Sequence, residues 1–353
     1  MGSIMQVRPR DSMNLYTKQG YPDIASWIST EIPFILCCGG RGTGKTYSAL
    51  LYAYETGKTF MFIRNSQTQV DRLMKPQYNV FKRMNADKGI NITIGKDGKT
   101  GIYYDETDPE NIKPVGYLAA LSTFSNFRGP DLSDVDLIIW DEFIPEAQER
   151  MVKDSAVVFF NAYETMNRNR ELEGRKPIPV LFLANSNKLD NPMFIELGLV
   201  RQAEKMLKND QQYSINRERG YMIIFLNRSP ISEAKQNTAL YRLVGEQSAF
   251  FHMSISNSFN LSDTHLIQSC KLTEYKPVVN VGEITVYQHK SNGTYYVSGH
   301  MMKTKISFTS SAPDLERFRV KYSWLLARYL QELVYFEDYM SLALFDIYLR
   351  NKR

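Results

Sequence analysis

The chain has 353 residues, 43% hydrophobic and 23% charged, which excludes a wholly disordered protein and, at about 150 residues per domain, gives room for two domains with a sizeable core. Lys and Arg number 43 against 38 acids, and the resulting charge of +5 permits a nucleic-acid partner without demanding one. No apolar run approaches the roughly 18 residues of a membrane span, the polar start Met1–Ser12 has no signal-peptide core, and three cysteines make neither a disulfide framework nor a zinc pattern, so a reducing cytoplasm is expected.

Pro33 to Cys38 is an apolar run that meets a glycine-rich turn at Gly39, and Thr46 to Tyr54 predicts a helix with Leu50, Leu51 and Tyr54 at helical spacing. Phe60 to Arg64 is a short strand. Gln67 to Met84 reads as helical with a break near Lys75-Pro76, because proline restricts the residue before it. Asn91 to Asp105 alternates around Lys96-Asp97-Gly98-Lys99 and predicts a hairpin, expected as an exposed insertion. Strands are expected at Gly116 to Ser122, Val135 to Trp140, Val180 to Ala184 and Tyr221 to Leu226, with a helix over Ala156 to Met166. Strands alternating with helices predict an α/β fold with a mostly parallel sheet.

After Leu226 the composition turns polar. The expected division is residues 1–226, a linker over 227–262 and a small α+β domain over 263–353. In that tail Glu283 to Gln288 and Thr294 to Ser298 flank His289-Lys290-Ser291-Asn292-Gly293 as a second hairpin. Pro313 opens a helical stretch with Phe318, Tyr322, Leu325, Leu326, Tyr329, Leu330 and Leu333 on one stripe.

The strongest chemical signal is Gly39-Gly40-Arg41-Gly42-Thr43-Gly44-Lys45-Thr46, a complete phosphate loop. Glycines let the backbone approach phosphate oxygens, and the following helix offers its free N–H groups to the same anion. Lys45 can reach the β- and γ-phosphates of a nucleotide, while the Thr46 hydroxyl can ligate Mg²⁺. Val135 to Trp140 then delivers Asp141 to the carboxyl end of a strand, where it can hold hydrated Mg²⁺. The adjacent Glu142 is placed to polarise the attacking water. Asp136 competes for the metal but stands at the wrong end of its strand. Asn185, first residue after Val180 to Ala184, can sense the γ-phosphate, although an Asn turn closing a strand has the same appearance. Arg128 can contact phosphate or backbone, and Arg41 can touch nucleotide or project to a neighbouring subunit.

Asn187-Lys188-Leu189-Asp190 matches the guanine-reading string of GTPases, but Asp141-Glu142-Phe143-Ile144 lacks the D-x-x-G pattern that should accompany it. A built-in glutamate base favours an ATPase, with a GTPase as a minor alternative. An ATP-dependent helicase and a nucleotide-binding structural adaptor on nucleic acid are the other readings.

The phosphate loop, Ser125-Asn126-Phe127-Arg128-Gly129, Trp140-Asp141-Glu142-Phe143 and Ala184-Asn185-Ser186-Asn187 together resemble the ATPase domain of phage large terminases. Arg41 inside the loop and Asp141-Glu142-Phe143-Ile144-Pro145-Glu146 are most similar to the DNA-packaging ATPases of φ29-like phages. The resemblance covers Tyr21 to Leu226 well and the remainder mainly by length and order. It implies a P-loop NTPase of the additional-strand, conserved-glutamate type, followed by an RNase H-like, vestigial nuclease domain. The implied function is ATP-driven translocation of double-stranded DNA into a procapsid. A homomeric ring, expected as a pentamer, would do this in the host bacterial cytoplasm, docked at the portal vertex, with a structural packaging RNA as a further partner and no membrane. An arginine acting in trans is implied after the helix that follows the metal strand; overall spacing favours Arg170, with Arg168 as the alternative.

Nuclease activity is not expected. Tyr287 and Gln288 stand where a metal-binding acid would lie, and Thr294 to Gly299 carries no acid. Glu316, Glu332, Glu337 and Asp338 read as helical surface charge. Lys96, Lys99, Lys303 and Lys305 are candidate DNA contacts through phosphate attraction, and solvated charge explains them equally well.

Overall fold

Residues 13–127, 132–145, 152–185, 188–189, 191–227, 229–245 and 264–350 are described by a computed structural model. The chain divides into two units, Met1–Lys188 with Asp210–Phe259, and Leu189–Asn209 with Asn260–Arg353.

The first unit contains strands β1 (Phe34–Gly39), β2 (Phe60–Arg64), β3 (Ile92–Asp97), β4 (Thr100–Asp105), β5 (Lys113–Ala120), β6 (Leu137–Asp141), β7 (Val180–Ala184), β8 (Tyr213–Asn216) and β9 (Tyr221–Leu226). They form one sheet in the order β3-β4-β5-β2-β6-β7-β1-β9-β8. The neighbours from β5 to β9 pair in parallel, while β3, β4 and β8 close the edges antiparallel. β6, β7 and β9 are buried along their whole length, as continuous apolar runs require when both faces of a parallel sheet are covered.

Each face has its own reason to be apolar. The helix Lys45–Glu55 buries Ala49, Leu50 and Ala53 in a cluster with Ile35, Phe60 and Phe62. On the helix Ser155–Asn167, Phe159 stacks on Trp140 at 4.9 Å and meets Phe182 edge-on at the same separation. Full burial of a phenylalanine contributes about 1.5–3 kcal/mol, so this aromatic layer fixes how β6 and β7 sit under their helix.

The hairpin over 91–105 forms, but not as a separate insertion. β4 pairs with β5 and extends the sheet, Ile92 and Tyr103 are buried, and the tip carrying Lys96 and Lys99 is exposed. The break near Pro76 splits the expected helix into Gln67–Leu73 and Lys82–Lys88.

The second unit pairs β10 (Tyr275–Val281), β11 (Ile284–His289) and β12 (Tyr295–Ser298) as an antiparallel meander. β13 (Ser307–Phe308) and β14 (Val334–Phe336) flank it in parallel, giving the order β13-β10-β11-β12-β14. The helices Ala312–Lys321, Trp324–Leu330 and Tyr339–Arg350 bring Phe318, Leu325, Tyr329 and Phe345 against Val279, Val286, Val297 and Phe336.

The expected division at residues 226 and 262 differs from these units in two ways. Residues 229–245 are not mere linker: they form the helices Pro230–Lys235 and Ala239–Val244, which group with the first unit. Residues 189–209 group with the tail, because Arg201 pairs with Asp338 at 2.5 Å and a Glu204 carboxylate oxygen accepts the Tyr339 N–H at 3.3 Å. Among the described residues no helix is long and apolar enough to cross a membrane.

Candidate functional site

β1 ends at Gly39, and the chain turns through the phosphate loop into the helix that begins at Lys45. The turn needs left-handed backbone at Gly42 (φ +65°) and Gly44 (φ +88°), which side-chain-bearing residues resist. Lys45 is buried beneath the loop. Its ammonium donates to the carbonyls of Gly39 and Gly40, both at 2.8 Å, and lies 3.4 Å from the Thr43 hydroxyl, which itself donates to the Gly40 carbonyl. Burial lowers the Lys45 pKa, since removing an ammonium from water disfavours its charged form.

Thr46 reaches across 95 residues of sequence to the metal-motif strand: its hydroxyl donates to Asp141 Oδ1 at 3.1 Å. β7 makes this possible. It lies between β1 and β6, setting Cys38 beside Ala184 and Asp141 beside Leu183, so the loop and the acid emerge at the same end of the sheet. A hydroxyl and a carboxylate this close form a hard oxygen set that suits Mg²⁺. Among the described residues no group of three or more His, Cys, Asp or Glu could hold a metal.

Glu142 follows at φ +59°, a left-handed conformation that costs a non-glycine residue about 1–3 kcal/mol. The kink turns its carboxylate out of the strand's alternation. It is held there: Asn65 donates to the Glu142 carbonyl at 2.6 Å, and the Trp140 indole donates to Asn65 Oδ1 at 3.0 Å. Arg64, the last residue of β2, spans both acids, with Nη1 on Asp141 Oδ2 at 2.7 Å and Nη2 on the Glu142 carboxylate.

Asn185 stands one residue past β7, at the loop's end of the sheet. The Arg41 side chain is exposed while its carbonyl accepts a hydrogen bond from Lys235 at 2.7 Å. Arg128 lies outside the described residues, as do Asn187 and Asp190 of the GTPase-like string.

Arg170 does not join this site. Nη1 donates to the Val135 carbonyl at 2.6 Å and Nη2 pairs with Asp136 at 2.8 Å, which places it at the start of β6, the opposite end of the sheet from the loop. Arg168 is exposed on the same turn at φ +44°. Cys37 and Cys38 are buried in β1, and burial pushes the Cys37 thiol up to about 12, which removes nucleophilic character.

Sequence reasoning misses Arg64, Asn65 and Lys235. Arg64 carries a usable signal, a cation at the carboxyl end of an expected strand, where ligand-binding groups collect. Lys235 lies in the stretch that reads as linker.

Residues 21–332 match the family described as Podovirus DNA encapsidation protein (Gp16). Among solved structures the chain is similar to the Phi-28 gp11 DNA packaging motor, at 18% identity over 93% of this chain and 98% of that one, with a TM-score of 0.62. It is also similar to a chain of the bacteriophage Phi-29 viral genome packaging motor assembly, at 15% identity over 93% and 96%, with a TM-score of 0.64. At such identities these two likenesses speak for the fold. No curated protein matches the sequence.

Proposed function

As a member of the podovirus DNA encapsidation protein (Gp16) family, this chain is a phage DNA-packaging motor ATPase, and we propose that Lys45, Thr46, Asp141 and Glu142 form its hydrolytic site. The observation that carries this reading is the Thr46–Asp141 contact at 3.1 Å with Glu142 next in the chain. Lys45 would exchange the Gly39 and Gly40 carbonyls for the β- and γ-phosphates of ATP, which accept from an ammonium more strongly because they are charged. Thr46 and Asp141 would hold Mg²⁺, whose chemistry when bound is to neutralise charge on the departing phosphoryl group. Glu142 would orient and deprotonate the attacking water once Arg64 releases its carboxylate. Asn185, one residue past β7, would read the γ-phosphate, and Arg41 and Arg128 are proposed nucleotide contacts.

The working unit in this reading is a homomeric ring, a pentamer, docked at a procapsid portal vertex in the host bacterial cytoplasm and assisted by a structural RNA. A trans arginine completes each site. Residues 168–170 stand at the sheet end away from their own phosphate loop, which supports a role toward a neighbour's nucleotide rather than their own. Both arginines are engaged, Arg170 by Asp136 and the Val135 carbonyl and the more exposed Arg168 by the Thr165 carbonyl at 3.3 Å, so either would exchange partners to reach a neighbour.

The tail in this reading is an RNase H-like domain that contacts nucleic acid or protein without cutting. Tyr287 and Gln288 on β11 and the acid-free β12 support it. Glu337 and Asp338, expected within helical sequence, instead follow β14 directly. Glu337 accepts from the Ser298 hydroxyl at 2.7 Å and the Gly299 N–H at 3.0 Å.

The decisive experiment is ATP-dependent DNA packaging with purified chain, procapsid and RNA. Duplex DNA should become nuclease-protected only with hydrolysable ATP. Strand separation without packaging would favour a helicase, and nucleotide binding without turnover an adaptor.

A further inference from the structure

The phosphate loop is gripped by two lysines rather than one. Lys45 holds the carbonyls of Gly39 and Gly40 from beneath, and Lys235 holds the next carbonyl, that of Arg41, at 2.7 Å. Three consecutive loop carbonyls therefore point at ammonium groups. Lys235 also closes on the face of Gly42: a Cβ there would stand 2.3 Å from its nitrogen. The stem is anchored, because the helix Pro230–Lys235 starts on proline and buries Ser232, while Gly20 packs so closely on Pro230 that an added Cβ would lie 3.0 Å from the proline ring.

We propose that Lys235 is a positioning residue of the ATP site: it fixes the Arg41 carbonyl so that the loop keeps its phosphate-accepting shape when Lys45 transfers to the nucleotide. Nucleotide binding requires an exchange of partners. When Lys45 moves to the phosphates, Gly39 and Gly40 lose their cation, and a loop with two left-handed glycines gains freedom to collapse or flip. Lys235 comes from a helix outside the loop, and its bond to Arg41 does not compete with phosphate for the Lys45 ammonium. It therefore contributes to nucleotide affinity through preorganisation, and little to the chemical step. This inference rests on the reading of the loop as an ATP site.

The test compares Lys235→Met, which keeps the stem but removes the donor, with Lys235→Arg, which restores one. Steady-state ATP hydrolysis and equilibrium binding of a fluorescent ATP analogue are measured below the melting temperature of each variant. The expected result for Lys235→Met is a KM raised about fivefold to tenfold with kcat within twofold, a change of about 1–1.4 kcal/mol in binding free energy. Lys235→Arg should recover at least half of the affinity. An unchanged KM in Lys235→Met overturns the proposal, and so does equal impairment in both variants, which would assign the effect to packing of the stem. If the wild type itself does not turn over ATP while Lys45→Ala binds the analogue as well as it does, the ATP-site reading fails instead.

Discussion

Arg64 and Glu142 form an ion pair that ties the proposed base to the end of β2, and the same guanidinium holds Asp141 at 2.7 Å. A base with its carboxylate engaged by a guanidinium is a poor proton acceptor, because the pair must open before a water can take its place. The geometry is therefore that of a restrained site.

Arg64→Met should relieve that restraint. The expected outcome is an approximately threefold to tenfold rise in ATP turnover without DNA or procapsid, in line with about 1 kcal/mol for a partly exposed pair. Packaging per ATP hydrolysed should fall. A drop in DNA-free turnover would assign Arg64 to holding Asp141 for the metal, which the two arms of the same assay distinguish.

The site residues should separate by role. Lys45→Ala and Asp141→Ala are expected to abolish turnover, the first with loss of nucleotide binding and the second with loss of its Mg²⁺ dependence. Glu142→Gln keeps size and the backbone bond from Asn65, so Mg·ATP should still bind while hydrolysis falls at least about a hundredfold, within the range attributed to a general base. Loss of binding in Glu142→Gln, with an unchanged circular dichroism spectrum, would make Glu142 a ligand.

Solvated helical charge is a poor description of the acids near the tail's end, and Asp338 shows why. Its Oδ1 accepts the Ser341 N–H at 2.8 Å and the Ser341 hydroxyl at 2.7 Å, capping the helix Tyr339–Arg350, and Oδ2 pairs with Arg201. Asp338→Ala should lower stability by about 1–2 kcal/mol, the cost of a lost N-cap. It should not change DNA cleavage, which is expected to be absent with Mg²⁺ or Mn²⁺ in the wild type. Metal-dependent cutting that disappears in Asp338→Ala would restore a nuclease reading.

The parts legible in the sequence are those whose physics is local. β6 and β7 announce themselves because burial on both faces leaves continuous apolar runs, and the phosphate loop because its glycines and lysine sit at fixed spacing. The role of Arg64 is not local: it depends on β2 lying beside β6, a strand order that no single sequence states. Lys235 is hidden in a polar stretch for the same reason. Residues 200–208 form a helix that buries Val200, Ala203 and Met206, and position along the chain places this segment within 1–226 although it groups with the tail.

Stability and ring chemistry together can assign the trans arginine. Arg170 is bound at both terminal nitrogens, to the Val135 carbonyl and to Asp136, so its removal should cost stability by leaving a strand end without its tie, about 1–3 kcal/mol. Arg168 is more exposed and donates to the Thr165 carbonyl at 3.3 Å, so its removal should lower the monomer's melting temperature less than removal of Arg170. If Arg168 reaches the neighbour's nucleotide, Arg168→Ala will bind ATP normally and hydrolyse poorly only under ring-forming conditions, because its guanidinium acts on charge that develops in the transition state. Mixing Arg168→Ala with Lys45→Ala chains sharpens the test. Some interfaces then pair an intact phosphate loop from one chain with an intact Arg168 from the other, and hydrolysis should return only in the mixture, above the sum of the separate backgrounds. Verified mixed rings that recover nothing, while wild-type mixtures stay active, would remove Arg168 from the role. Recovery with Arg170→Ala in its place would return the assignment to Arg170 and require the Asp136 pair to open when the ring assembles.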